Sequence, residues 1–297
     1  EEELWVSNTG GNEELYLFNL QTRQISHVRS RCGVDYIDRA GNLWNRTAAG
    51  LQFYHRQSNR VERHYFNKQT GIDIEKIKVV RDFDRNGKLH ITIKGKGGLM
   101  ELDRQTGQWV LIPFPGISAT PVNGEILVKT SMGILANDLE RLYLMPTGSR
   151  QFQELPFQLP ADNDRYDAAS TEDGSIFISG RNGYFCWLKP GLSELITYSA
   201  ADVGEPFPGY FSEIKVSPPD KFGRPWIATA SGYSIFDPKE NHFLHFSYRN
   251  LPDKILSETR DLWPDHLGRM WCNSPNVLGW IDQEHPELGI QQRFDVA

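Results

Sequence analysis

The sequence predicts an all-β chain, a seven-bladed β-propeller of four-stranded antiparallel blades whose first blade is incomplete. Three observations predict it: a glycine turn that recurs with a period in the forties, short apolar runs spaced between those turns, and the lack of any long helical period. The turn reads Asp38-Arg39-Ala40-Gly41-Asn42-Leu43-Trp44, then Asp84-Arg85-Asn86-Gly87-Lys88-Leu89-His90. It returns as Thr171 to Phe177, Asp220 to Trp226 and Asp265 to Trp271, with a weaker copy at Asn123-Gly124-Glu125-Ile126-Leu127. The glycines at 41, 87, 124, 174, 223 and 268 are separated by 46, 37, 50, 49 and 45 residues. Four short strands per repeat of that length describe a propeller blade.

Each unit justifies its strands in order. Strand A is an apolar run ending in the turn, as in Ile77 to Val80 or Ile214 to Val216. Strand B follows the turn, as in Trp226-Ile227-Ala228, and strand C starts at a glycine, as in Gly50-Leu51-Gln52-Phe53-Tyr54 or Gly232 to Phe236. Strand D closes the unit, as in Val61 to Phe66 or His242 to Phe246. Asp and Gly suit the A–B hairpin, and Asp103 to Gly107 or Asp237 to Asn241 suits the C–D turn. B strands are expected near Leu4, Leu43, Leu89, Ile126, Ile176, Pro225 and Met270, and Leu139 to Pro146 reads as an insertion. Only three glutamates precede Leu4, so the first blade is expected to lack its innermost strand. Residues 1–297 then form one propeller domain, cut from a longer chain.

Composition narrows the function. A net charge of −6 argues against a nucleic-acid partner, which needs a basic field. No apolar stretch approaches membrane-spanning length, so direct membrane insertion of this segment is not expected. The opening Glu1-Glu2-Glu3 is unlike a signal peptide, as it would be in a processed exported protein. The cysteines Cys32, Cys186 and Cys272 show no metal-ligand spacing and are expected to be ordinary thiols. No cofactor, metal or catalytic residue is expected. Asp82 to Gly87 opens like a calcium loop, but Ile93 stands where that loop needs a bidentate carboxylate, so it reads as a hairpin turn. Asn45-Arg46-Thr47 is a formal glycosylation sequon at the end of a B strand. The histidines form no H-x-x-x-H pair, and no G-x-S-x-G elbow is present. Trp5, Trp44, Trp226 and Trp271 recur at one repeat position, which points to packing between blades.

The D-x-x-G-x-L-W turn followed by Gly-Leu-x-x-Tyr/Phe resembles the regulator-propeller repeat of bacterial hybrid two-component sensors. The linker Asn250 to Ser257 leading into Asp261 is similar to that family's connection between blades. The resemblance covers nearly the whole chain and is weakest at 117–150, where tryptophan is missing. It implies a periplasmic sensing region of an inner-membrane protein, whose membrane helix and kinase would lie elsewhere. It also implies recognition of a small ligand, often a carbohydrate fragment, or mechanical relay between protomers of a homodimer.

Loop lengths point to the binding face. In an up-and-down blade the B–C and D–A loops share one end, and here they include the long stretches 66–76, 157–166, 199–212 and 247–257. That end is expected to carry Arg31, Arg46, Lys94, Arg165, Tyr166, Arg181, Tyr210, Tyr248 and Arg249, together with Lys96 and Phe211. Aromatic planes stack on sugar rings and guanidinium forks grip carboxylates. The competing reading is a stand-alone propeller lyase of the virginiamycin B lyase type; the chain lacks a Trp-Phe-Thr-Glu run in its B strands and a His/Glu cluster for magnesium. A scaffold that binds only protein is the third.

Overall fold

The structure is a computed structural model. It describes residues 3–8, 14–19, 21–22, 24–30, 36–37, 42–47, 50–55, 57–58, 60–65, 77–83, 88–93, 97–103, 106, 108–116, 124–138, 141–160, 166–180, 183–203, 215–229, 232–247, 250, 261–274 and 277–295. The chain divides into two compact units, one of Glu1–Pro113 with Ala119–Pro121 and one of Phe114–Ser118 with Val122–Ala297.

The first unit holds three antiparallel sheets. Sheet 1 is β1 (Glu3–Asn8), β2 (Glu14–Asn19) and β3 (Gln24–Ser30), three strands among the described residues. Sheet 2 is β4 (Tyr36–Ile37), β5 (Leu43–Thr47), β6 (Gly50–His55) and β7 (Arg60–Tyr65). Sheet 3 is β8 (Ile77–Phe83), β9 (Lys88–Ile93), β10 (Gly98–Asp103) and β11 (Gln108–Pro113).

The second unit holds four sheets of four strands each. Sheet 4 is β12 (Gly124–Lys129), β13 (Gly133–Asp138), β14 (Arg141–Pro146) and β15 (Gln153–Gln158). Sheet 5 is β16 (Tyr166–Ser170), β17 (Ile176–Gly180), β18 (Tyr184–Leu188) and β19 (Leu195–Tyr198). Sheet 6 is β20 (Lys215–Val216), β21 (Trp226–Thr229), β22 (Gly232–Asp237) and β23 (His242–Ser247). Sheet 7 is β24 (Asp261–Pro264), β25 (Arg269–Ser274), β26 (Val277–Asp282) and β27 (Ile290–Asp295). Helix among the described residues is limited to short 3-10 turns at Pro190–Leu192 and Pro286–Leu288.

Strand order follows chain order in every sheet, so each is a meander of hairpins. Middle strands such as β13, β17, β18 and β21 are buried along their whole length. That is why they read as continuous apolar runs rather than alternating ones: each is covered on both faces. The cover comes from the next sheet. Leu135 and Leu142 of sheet 4 pack with Ile176, Ile178 and Cys186 of sheet 5. Phe177, Phe185 and Trp187 of sheet 5 pack with Ile227, Phe236 and Phe243 of sheet 6. Trp226, Tyr233 and Ile235 of sheet 6 pack with Leu262, Met270 and Ile281 of sheet 7. Outer strands such as β15 are mostly exposed.

Sheet 4 corrects the sequence reading. The strand containing Ile126 is the first of its sheet, not the second, and Leu139 to Pro146 is no insertion, because Arg141–Pro146 is the third strand. The hairpin turn lies at Thr130-Ser131-Met132-Gly133, where the Thr130 hydroxyl accepts from the backbone N–H of Met132 at 3.1 Å and of Gly133 at 3.2 Å. Threonine here does the work of the usual aspartate, so the glycine at 124 is a decoy. With Gly133 in its place the intervals of 37 and 50 become 46 and 41.

Candidate functional site

The repeated turn is built around one buried carboxylate. Asp220 Oδ1 accepts from the backbone N–H groups of Phe222 and Arg224, both at 2.9 Å. Its Oδ2 accepts from Arg224 Nε at 2.9 Å and from Trp226 Nε1 at 3.0 Å. Asp265 repeats the pattern with Leu267 and Arg269 backbone N–H at 2.9 and 3.0 Å, Arg269 Nε at 2.6 Å and Trp271 Nε1 at 2.9 Å. Gly223 and Gly268 hold φ of 79° and 81°, the left-handed region that closes this turn without steric cost. Burial works to raise the pKa of Asp265, but the bonds from Trp271, Arg269 and Leu267 hold it below the ordinary carboxylate value. Trp226 and Trp271 are thus buried in equivalent settings, as their spacing predicts; the side chains of Trp5 and Trp44 lie outside the described residues.

Sheets 6 and 7 are stitched at this end through Gln283, which is fully buried. Its Oε1 accepts from Lys221 N at 3.1 Å, its Nε2 donates to Arg269 O at 3.0 Å, and its carbonyl accepts from Arg224 Nη2 at 3.0 Å. Tyr233 donates its hydroxyl to Pro286 O at 2.6 Å, and burial pushes that phenol far above its ordinary pKa. Cys186 and Cys272 are buried thiols raised to about 11 and about 12 by desolvation.

At the opposite end of the same sheets, where the long connections emerge, the first strands carry a charged rim. Lys215 Nζ, opening β20, lies 3.1 Å from Asp261 Oδ1, opening β24, and each side chain is 31% exposed. Asp261 N–H donates to Asn273 Oδ1 at 3.1 Å, and Val216 N–H donates to Ser179 Oγ at 3.2 Å across from sheet 5. Asp167 stands second in β16, opposite Ser179. Sequence reasoning missed Lys215 and Asp261. Their signal was a charged residue at the head of an apolar strand. Of the expected site residues, Arg46 falls on β5 and Tyr166 opens β16, with side chains not described. Arg31, Lys94, Lys96, Arg165, Arg181, Tyr210, Phe211, Tyr248 and Arg249 lie outside the described residues.

No family model and no curated protein matches the chain. Solved structures do. Virginiamycin B lyase from Staphylococcus aureus superposes with a TM-score of 0.63 at 10% identity, over 88% of this chain and 83% of its own. PorZ, a surface component of the type-IX secretion system of Porphyromonas gingivalis, superposes with a TM-score of 0.58 at 16% identity, over 92% of this chain and 43% of its own. The fold is propeller-like. The extracellular domain of a hybrid two-component system of B. thetaiotaomicron matches at 14% identity with a TM-score of 0.43, over 99% of this chain and 47% of its own. The chain spans less than half the length of the last two proteins.

Two polar clusters lie within the sheets. His90 occupies the repeat position of Trp226 and Trp271, and its Nε2 is 3.3 Å from Glu101 Oε2, with the residues 2% and 4% exposed. Sequence reasoning missed this pair because the partners sit on different strands. Ser234 Oγ lies 3.0 Å from His245 Nδ1 and bonds the Val203 carbonyl; Ser234 is buried, so the contact ties the segment that follows β19 to sheet 6 rather than presenting a nucleophile. Among the described residues no three His, Cys, Asp or Glu side chains gather in a geometry fit for a metal ion, and no helix is long and apolar enough to cross a membrane.

Proposed function

We propose that the seven sheets are the blades of one seven-bladed propeller over residues 1–297. The domain senses rather than catalyses, as part of the periplasmic region of a bacterial hybrid two-component regulator anchored in the inner membrane. It takes a small ligand, with an oligosaccharide as first candidate, or a second protomer, and uses no cofactor. The observation that carries this reading is the aspartate-to-tryptophan turn of sheets 6 and 7, the feature on which the regulator-propeller resemblance rests. The ligand belongs on the long-connection end, where Lys215 and Asp261 offer a donor and an acceptor side by side to a hydroxyl-rich molecule. Arg46 of β5, with Arg181 and Tyr210 from the loops, completes the set.

Titration calorimetry with acidic and neutral oligosaccharides tests it. Arg46→Ala or Arg181→Ala should lower affinity for an acidic ligand more than tenfold, since a charge-assisted hydrogen bond contributes about 1.5–3 kcal/mol. Unchanged affinity in both variants would defeat the site assignment. The lyase reading has the superposition on virginiamycin B lyase, across most of both chains, in its favour. Magnesium-dependent turnover of that enzyme's substrate, abolished by a chelator, would replace the sensing reading with it.

A further inference from the structure

Outermost strands end their sheets with unpaired backbone groups, and a protein that stays alone blunts them with charge, proline or shortness. Most outer strands of this chain follow that rule. β7 carries Arg60, Glu62 and Arg63, β27 carries Arg293 and Asp295, and β3 carries Arg29. β15 has Glu154 and Pro156, β23 has two histidines, and β19 is only four residues long. β11 breaks the rule. Its six residues, Gln108-Trp109-Val110-Leu111-Ile112-Pro113, include no charge, and among the described residues it lies at the edge of sheet 3 with only β10 paired to it. Val110 is 40% exposed and Leu111 43% exposed, one toward each face of the strand. Among the described residues no other outer strand joins six uncharged residues to two apolar side chains exposed to that degree.

We infer that β11 is a pairing edge for a second copy of this chain, β11 to β11 in antiparallel register about a two-fold axis. Self-pairing suits this strand because an uncharged edge meets its own copy without like-charge repulsion in any register. In such a pair, opposed residues must point their N–H groups the same way, both toward the partner or both away from it, so a residue faces its own copy or one an even number of positions away. Centred on Val110, the pairing sets Val110 against the partner's Val110 and Leu111 against the partner's Trp109. Pro113, which has no N–H, then falls just outside the five-residue ladder from Gln108 to Ile112. A ladder of that length spans about 17 Å and buries well under the ~1,200 Å² of a stable standard interface. The dimer is therefore weak and dependent on concentration. It closes at two copies, because each chain offers this edge once.

Sedimentation equilibrium of the whole chain over a wide concentration series tests the inference. The expected result is a shift from one chain to two with rising concentration, weakened at least tenfold by Val110→Lys and by Leu111→Lys. Both positions are exposed, and unchanged melting curves would show that the variants fold. Leu288→Lys, at an apolar side chain 52% exposed on a different element, should leave the dimer intact. A chain that stays monomeric throughout overturns the inference, as do a dimer indifferent to both β11 variants and an assembly that grows past two. None of these results bears on ligand binding at the long-connection end, so the two readings fail separately.

Discussion

Replacing Asp220 by alanine tests how much the repeated turn holds. The carboxylate is fully buried and accepts bonds from the backbone of Phe222 and Arg224, from the Arg224 guanidinium and from the Trp226 indole. Its loss strands the Trp226 N–H, in a residue that is 0% exposed, which costs about 1–3 kcal/mol. It also leaves Arg224, whose side chain is 17% exposed, without its counter-charge. Breaking a buried ion pair from one side costs about 3–5 kcal/mol, and the two losses overlap, so the expected sum stays near about 4 kcal/mol. Asp265→Ala removes the same set of bonds at a wetter site, with the side chains of Asp265 and Arg269 17% and 21% exposed, and should cost roughly half as much. At about 2–4 °C per kcal/mol for a unit of this size, Asp220→Ala should melt roughly 10 °C lower, clearly below Asp265→Ala. The Asp265 carboxyl has its folded pKa depressed, so its contribution is complete above the unfolded value near 3.8 and is lost as pH falls through the folded one. The gap between wild type and Asp265→Ala should therefore narrow only in acid below about pH 4. Thermal melts from pH 7 to pH 3 read both effects. Equal melting points for wild type and Asp220→Ala, or a larger loss for Asp265→Ala, would refute the reasoning.

Two glycines should separate steric from conformational cost: a Cβ on Gly232 would sit 2.0 Å from the Phe246 carbonyl oxygen, whereas one on Gly223 meets nothing within 4 Å. Melts should show Gly223→Ala losing only the ~1–2 kcal/mol of left-handed strain and Gly232→Ala losing more. Cys186 and Cys272, buried and raised to about 11 and about 12, should resist alkylation at pH 8 in a Cys32→Ser background and react only after denaturation, as mass spectrometry would record. Glu101→Leu alone should destabilise the chain by about 3–5 kcal/mol, while His90→Phe with Glu101→Leu should recover most of that loss in the same melts, because a buried pair exchanged whole for apolar groups is often neutral.

Much of the fold was legible because its determinants are local. A turn closed by Asp and Gly, as at 220–223 and 265–268, is complete within a few residues, and the apolar runs that flank it need no distant partner to be recognised. The reading failed where one local device replaced another. At Thr130 a hydroxyl caps the turn that aspartate caps elsewhere, while Gly124, a plausible turn residue, opens a strand. Thr171 shows that the substitution was in plain sight: there the capping carboxylate comes from Asp173, which accepts from Ser175 N at 2.9 Å. The charged rim was less legible, because Lys215 and Asp261 are 46 residues apart and meet only when their sheets stack. Gln283 could not have been read at all, since its partners Lys221 and Arg224 lie on another sheet and its composition marks it as a surface residue.

The tryptophan position explains why a repeat can be strong in some units and faint in others. What the fold demands there is a buried side chain on the second strand, covered by the neighbouring sheet. Trp226 and Trp271 meet that demand and also return an N–H to the turn, so turn and packing reinforce one another and the repeat stays visible. Phe177 meets only the packing demand, and its turn caps itself through Thr171 and Asp173 instead. Ala136, the corresponding residue of sheet 4, is fully buried yet small, and Phe114 fills the region by stacking on Tyr143, the cross-strand partner of Ala136, at 4.7 Å between ring centres. His90 departs furthest: it keeps the burial and trades the aromatic pair for a bond to Glu101. Sequence likeness fades along that series while the buried position persists, since packing constrains volume and burial and leaves residue identity free wherever the turn no longer needs an indole.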